Sequence, residues 1–350
     1  MDVVLLKKIC EVAGAPGHEE RVRKLVLSEI EGLVDEISID NMGNVIAIKK
    51  AKNGVSTPKK AMVAAHMDEI GFIVTHIDDK GFLRFHTLGG FDPKTLTSQR
   101  VIVHGKKDLV GVMGSKPIHV MSPEERNKGV KTTDFFIDLG LSKEEVDKYV
   151  TVGDPVTRDR ELIEMGDCVN CKSLDNRVSV YILIEVLKLL KSVEIPVDLY
   201  AVFSVQEEVG LRGAKMAAHA INPDFGFGLD TTIAFDVPGA AAHEKITSLG
   251  EGVAIKIMDT SAIADVRMVK YLKSIANNNN IKWQPEILTG GGTDTAAIQS
   301  MSKNAIVGAV SLPTRHIHQV IEMCHKEDID GAVQLLHHAL IGFDTFSYDF

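Results

Sequence analysis

Five short segments of this 350-residue chain carry side chains able to bind a metal or move a proton. They read AAHMDE (64–69), KSLDNR (172–177), VQEEVG (205–210), FGLDTT (227–232) and PTRHIHQ (313–319). His66 and Asp68 stand two residues apart, so on extended chain they point to the same side. One imidazole nitrogen can then hold a cation while the other donates to the carboxylate, which fixes the tautomer. The competing reading is a strand-end histidine capped by an aspartate. Asp175 sits at a loop-to-helix junction, where an N-cap acid is common. Its two oxygens could equally bridge two cations about 3.5–4 Å apart. Glu207 and Glu208 are adjacent, and burying both without a cation would be costly. One can ligate while its neighbour acts as a general base. Asp230 closes an apolar run and reads as a ligand or as the start of a turn. Either His316 or His318 could ligate by spacing. Histidine and carboxylate donors without thiolates suit a hydrolytic zinc, cobalt or manganese site.

Two other features invite chemistry. GGGTDT (290–295) is a Gly-rich loop opening a helix. It lacks the lysine of a phosphate-binding loop. It is expected to line a substrate site, with Asp294 capping the next helix. Gly291, Gly292, Thr293 and Arg315 are the candidate substrate contacts. Cys168 and Cys171 form a lone CxxC, expected on a strand beside the site without a role of its own.

The elements that must position these residues follow from hydrophobic pattern. Ala61–Ala65, Val197–Val205, Asp224–Asp230 and Ala305–Ser311 are short apolar runs typical of buried parallel strands. Helical spacing covers residues 2–13, 18–33, 176–190, 213–219, 261–277 and 322–343. The turn Asn41-Met42-Gly43-Asn44 predicts a hairpin, and residues 50–60 read as a loop. Strands alternating with helices imply a mostly parallel sheet covered on both faces. Such sheets place ligands at the carboxyl ends of their strands, where most of the five segments stand. Residues 71–166 instead read as short β runs, with one helix near 142–149 and a polar loop at 121–133. The expected organisation is a discontinuous α/β domain, 1–70 and 167–350, carrying an inserted β domain, 71–166.

Composition narrows the partners. The net charge of −9 is spread along the chain, and no Lys/Arg block argues for nucleic acid or an anionic membrane. No apolar run is long enough for a membrane span, and the first residues do not form a signal peptide. Four cysteines in a chain of this length form no disulfide framework, so a cytoplasmic location with reduced thiols is expected.

Taken together, AHMDEIG, SLDNR, VQEEVGLRGA, GLDTT, GGGTD and PTRHIH resemble the M42 metallopeptidases, the tetrahedral aminopeptidases. The likeness runs from near Lys8 to near the C-terminus. It includes GGFDPKTLTSQRV, GVMGSKPIH and FFIDLG in the inserted segment. The resemblance implies a phosphorylase/hydrolase-like three-layer α/β/α core with a mixed sheet, plus an inserted PDZ-like β-barrel used for dimerisation. It implies two divalent metals, zinc or cobalt before manganese. His66 and Asp230 would hold one, Glu208 and His318 the other, and Asp175 would bridge, followed by a cis bond to Asn176. Glu207 would be the general base for a metal-bridged water, with Asp68 orienting His66. The implied activity removes N-terminal residues from peptides, in dimers assembled into dodecamers. Two motif departures, His316 for an aromatic and Thr231 after Asp230, bear on subsite shape. The S1 preference stays open.

Rival activities use the same residues differently. A metal-dependent amidohydrolase or deacylase would share the metals but not the amine pocket. A carbohydrate hydrolase of endoglucanase label could use Glu207 and Glu208 as an acid and base pair. That would leave His66, Asp230 and His318 unexplained. A decayed, non-enzymatic scaffold would be expected to have lost some of these residues.

Overall fold

The computed structural model describes residues 1–52, 55 and 57–350. Of the expected loop at 50–60, residues 53, 54 and 56 lie outside the described residues.

The strand Lys60–His66 shows why the sheet is central. Ala61, Val63 and Ala65 face one hydrophobic core, and Met62 and Ala64 face another. All five are fully buried, so period-2 alternation leaves no polar face. Parallel neighbours flank it on both sides: Asp198–Ser204 and Phe225–Ile233. Phe225–Ile233 in turn pairs in parallel with Ile306–Arg315. Antiparallel strands complete a mixed, 11-stranded sheet among the described residues. The hairpin Glu36–Ile39 and Val45–Lys49 flanks Asp198–Ser204, while Glu322–His325, Cys168–Cys171 and Ile163–Met165 continue from Ile306–Arg315. The hairpin turn falls where expected. Asp40 Oδ1 accepts the amides of Met42, Gly43 and Asn44, and Gly43 adopts φ +96°.

Helices cover both faces and make a three-layer core. Leu174–Leu190, Val3–Glu11, Glu20–Ile30, Val266–Asn278 and Lys326–Ile341 pack on the larger core. Arg212–Ile221 and Asp294–Met301 pack on the other, around Ala217, Ile221 and Ile298. No described helix is long and apolar enough to cross a membrane.

The chain leaves the sheet after His66 and forms a closed six-stranded antiparallel barrel from strands between Gly71 and Arg158. Phe72, Val74, Val101, Val103, Ile137 and Val156 fill it. Closure removes exposed sheet edges, which a small β unit must otherwise protect. Lys143–Tyr149 is helical with Ser142 as its cap, and Val146 joins the barrel core. The segment at 121–133 includes a helical turn, Pro123–Arg126, started by a Ser122–Glu125 capping box.

Three expectations change. The closing helix begins at Lys326, and Glu322–His325 is a strand paired with both Thr314–Arg315 and Cys168–Cys171. The segment IEMCHKEDI contains no Gly or Pro, so local pattern runs on where tertiary pairing intervenes. The helix expected from 261 starts at Val266, capped by Asp265. Two strands went unforeseen: Val253–Met258, and Trp283–Ile287 with its proline at an edge.

Candidate active site

Five chain segments converge at one end of the parallel strands. His66 ends its strand with Nε2 3.4 Å from Asp175 Oδ1 and 3.8 Å from Asp230 Oδ1. His318 Nε2 lies 3.4 Å from Asp175 Oδ2 and 3.4 Å from Glu208 Oε2. Asp175 thus offers one oxygen to each histidine. Three sets of potential ligand atoms each fall within 4.8 Å of one another: His66/Asp175/Asp230, Asp175/Glu208/His318 and His66/Glu207/Glu208. His316 is in none of them. The Asp175–Asn176 peptide is cis, as the resemblance implied. Asp175 takes non-helical backbone angles inside Leu174–Leu190, and its carboxylate faces the two histidines rather than the helix amides.

Burial sets the electrostatics. Burial pushes the Glu207 and Asp230 carboxyls well up, and neighbouring acids add to the rise. Burial likewise pushes Glu208 to about 7. Burial would also raise Asp175, but the His318 and His66 imidazoles hold it well below the usual carboxylate range. Burial would lower His318, yet Glu208 and Asp175 push it up to about 10. Protein alone therefore leaves these acids poorly matched. Glu208 Oε1 is buried with no hydrogen-bond partner, and the Glu207 carboxylate accepts no hydrogen bond among the described residues.

Two buried acids brace this cluster through backbone amides. Asp68 Oδ1 accepts the Glu207 amide at 3.0 Å, and Oδ2 accepts the Glu208 amide at 3.1 Å. His66 Nδ1 sits nearer the Asp68 carbonyl, 3.0 Å, than the Asp68 carboxylate, 3.4 Å. Asp68 therefore positions the glutamates as well as the imidazole. Glu322 does the equivalent on the other side. Its Oε2 accepts the Asp175 amide at 2.9 Å, and Oε1 accepts the His318 amide at 2.9 Å. Arg158, from the barrel, donates to the His318 carbonyl at 3.0 Å and the Lys172 carbonyl at 2.8 Å. Sequence reasoning missed Glu322 and Arg158. An acid four residues beyond His318 was the available signal, but it read as the first turn of a helix.

The Gly-rich loop lines a cavity beside the cluster. About 590 Å³ of space lies beside the cluster, with Gly291, Gly292 and Thr293 on its wall. Asp294 does not cap its helix: it opens Asp294–Met301 and accepts the Ser204 hydroxyl at 2.6 Å. Arg315 is not on the cavity wall. Its guanidinium holds Asp236 through two bonds of 2.6 Å. Cys168 and Cys171 lie on one strand, as expected, and neither joins the ligand sets. A larger cavity of about 790 Å³ lies between the N-terminal loop and the barrel, lined by His18, Arg21, His104 and Asp154 among others. It contains none of the clustered ligand atoms, so the chemistry belongs to the smaller one.

A sequence profile of the M42 glutamyl aminopeptidase family matches residues 43–335. The chain belongs to the M42 aminopeptidase family. It is an aminopeptidase, a hydrolase acting as an exopeptidase. A putative aminopeptidase of Acetivibrio thermocellus is 41% identical over 337 residues, 96% of this chain and 97% of that one. The solved aminopeptidase APDkam598 of the archaeon Desulfurococcus kamchatkensis superposes with TM-score 0.92 at 39% identity, covering 97% of this chain and 94% of that one. The Pyrococcus horikoshii TET1 peptidase, reported to assemble into a tetrahedron or a large octahedral shell, gives TM-score 0.87 at 34% identity, covering 97% and 99%. M42 aminopeptidases depend on metal, and the acidic and imidazole groups gathered here could hold metal ions.

Proposed function

We propose that this M42 aminopeptidase is dinuclear, with Asp175 bridging two divalent cations. His66 and Asp230 complete one site, and Glu208 and His318 complete the other. The observation that carries this is the sharing of Asp175 between two ligand sets, one oxygen facing each histidine. The donor set fits: it is all nitrogen and oxygen, buried apart from the half-buried His318, and Glu207, Glu208 and Asp230 are pushed up where cations would hold them ionised. Zinc or cobalt is our assignment, with manganese compatible with the same donors.

When bound, such cations lower the pKa of water and polarise the scissile carbonyl. Glu207 is the general base. Its carboxylate is free of hydrogen bonds to the described residues, and its backbone is held by Asp68. It takes the proton of the attacking water and returns it to the leaving amine. Six buried carboxylates, Asp68, Asp175, Glu207, Glu208, Asp230 and Asp294, exceed the charge of two divalent cations. The net negative site favours the ammonium of a free N-terminus, which supports exopeptidase action on peptides.

We also infer self-association through the barrel into a dimer and then a dodecamer, supported by the likeness to a TET peptidase that forms closed shells. Four free cysteines, three of them buried, suit a reducing compartment, and we assign the enzyme to the cytoplasm.

Chelation followed by titration with zinc, cobalt or manganese tests the site, with leucyl-p-nitroanilide and its N-acetyl form as substrates. We expect activity to vanish and return with two cations per subunit, on the free amine only. Equal hydrolysis of the N-acetyl form would point to a deacylase instead.

A further inference from the structure

The cavity beside the metal-type cluster must receive the side chain of the substrate's N-terminal residue. Its titratable lining, among the described residues, is confined to the cluster itself: His66, Asp175, Glu207, Glu208, Asp230 and His318. Leu211, Ile233, Leu288 and Ile317 supply apolar surface, and Gly290, Gly291 and Gly292 supply backbone. Two of the four hydroxyls in the wall, those of Thr232 and Thr293, are engaged inward, and the other two, Thr231 and Ser261, carry no charge. Thr232 Oγ1 donates to Glu286 at 2.8 Å, and Thr293 Oγ1 lies 3.3 Å from Asp259 Oδ2 and 3.1 Å from Thr295 Oγ1.

Behind that wall sits a sealed charge set. Lys256 is 1% exposed, with Nζ 2.9 Å from Asp259 Oδ2 and 3.4 Å from Glu286 Oε1. A substrate carboxylate could reach Lys256 only by breaking those pairs behind Thr232 and Thr293. Arg315 lies outside the cavity wall and is paired with Asp236. Among the described residues, a glutamyl side chain therefore meets no free cation in the cavity wall, and a lysyl side chain meets no carboxylate there outside the cluster. Burying either charge without a partner is unfavourable, whereas burying an aliphatic side chain is favourable.

We propose that this chain selects peptides whose N-terminal residue is uncharged and aliphatic, of the leucine or methionine class. The inference rests on the aminopeptidase site proposed above. It adds to that site a wall whose side chains outside the cluster are, among the described residues, all uncharged. It also separates this chain from a glutamyl preference, despite the description its family carries.

A panel of leucyl, methionyl, lysyl and glutamyl p-nitroanilides tests it, with N-acetyl-leucyl-p-nitroanilide beside them. The expected kcat/KM for the leucyl and methionyl substrates is at least ~10-fold above both charged ones. A glutamyl rate equal to the leucyl rate would show that Lys256 is reachable and would overturn the inference. A lysyl rate equal to the leucyl rate would overturn it as well. Hydrolysis of no free-amine substrate would sink the proposed function itself, and this inference with it. The variant Ser261→Asp adds a check from the other direction. Ser261 is exposed on the cavity wall, and its Oγ would lie only 2.4 Å from a Cβ added at Gly292. A carboxylate there should raise the lysyl-to-leucyl ratio about 10-fold, read both in kcat/KM and in competitive inhibition by free lysine against free leucine. An unchanged ratio in both would show that the side chain binds elsewhere.

Discussion

Replacing Glu322 with glutamine separates positioning from catalysis. Glu322 touches no substrate cavity and is fully buried. Its two oxygens each accept one backbone amide at 2.9 Å, from Asp175 and from His318. Glutamine keeps one acceptor and turns an NH2 toward the other amide. One hydrogen bond is lost, and a buried N–H is left unpaired. Charge-assisted bonds contribute about 1.5–3 kcal/mol each. Burial, with Asp175 adding to it, pushes the Glu322 carboxyl up, so part of that charge assistance is absent. The lower end applies, and the variant should lose about 2 kcal/mol of folding stability. Partners of metal ligands also set affinity, typically by 10–100-fold. The loss should fall hardest on the cation proposed for Glu208 and His318, because only that proposed site uses His318. Denaturant melts of the metal-free protein read the first effect. Chelator competition, resolving the two cations, reads the second. Unchanged affinities for both cations in the variant would refute the positioning role, and an equal loss at both sites would place its effect on Asp175 rather than on His318.

Arg158→Met should weaken the same cation several-fold through the released His318 carbonyl, with little change on the His66 side, again by chelator competition. Glu19 gives a pH signature. Burial raises its carboxyl to about 7, with Asp68 adding to the rise. A raised folded-state pKa means its contribution to stability is complete below the unfolded value near 4.5 and is lost as pH rises through 7. Glu19→Gln should therefore be more stable than wild type at pH 8, by up to about 3 kcal/mol, and near neutral at pH 4.5. Urea melts at the two pH values check this, and a pH-independent difference would contradict it. Gly213→Ala should destabilise by at least about 2 kcal/mol in the same assay. A Cβ there would lie 2.5 Å from the Val205 carbonyl oxygen and 2.3 Å from Asn44 Oδ1.

What the sequence revealed follows from where local pattern and tertiary demand agree. The strands Lys60–His66, Asp198–Ser204 and Phe225–Ile233 are buried on both faces, so their apolar runs are unbroken. His66 and Asp230 were visible because they lie at the ends of such runs. Glu207 and Glu208 were visible because adjacent acids after an apolar strand need a reason. Residues whose role is to hold backbone were not visible. Glu322 belongs to a strand that exists only through pairing with Thr314–Arg315 and Cys168–Cys171, and its amide partners are distant in sequence or across a turn. Arg158 lies on a barrel strand, and nothing local links it to His318. Arg315 misled in the opposite direction. A cation inside a site motif suggests substrate, yet Arg315 lies off the cavity wall and pairs with Asp236. The choice of His318 over His316 came from family likeness, and backbone geometry alone does not separate them, since both have positive φ.

The central claim is a two-metal site in which Glu207 moves the proton without holding a metal. The most direct measurement is bound metal per subunit and kcat for leucyl-p-nitroanilide, taken on one preparation each of wild type and Glu207→Gln. The expected result is two metals per subunit in both, with kcat lower by about 10²–10⁴-fold in the variant. Two metals with near-normal turnover in the variant, or one metal in fully active wild type, would contradict the account.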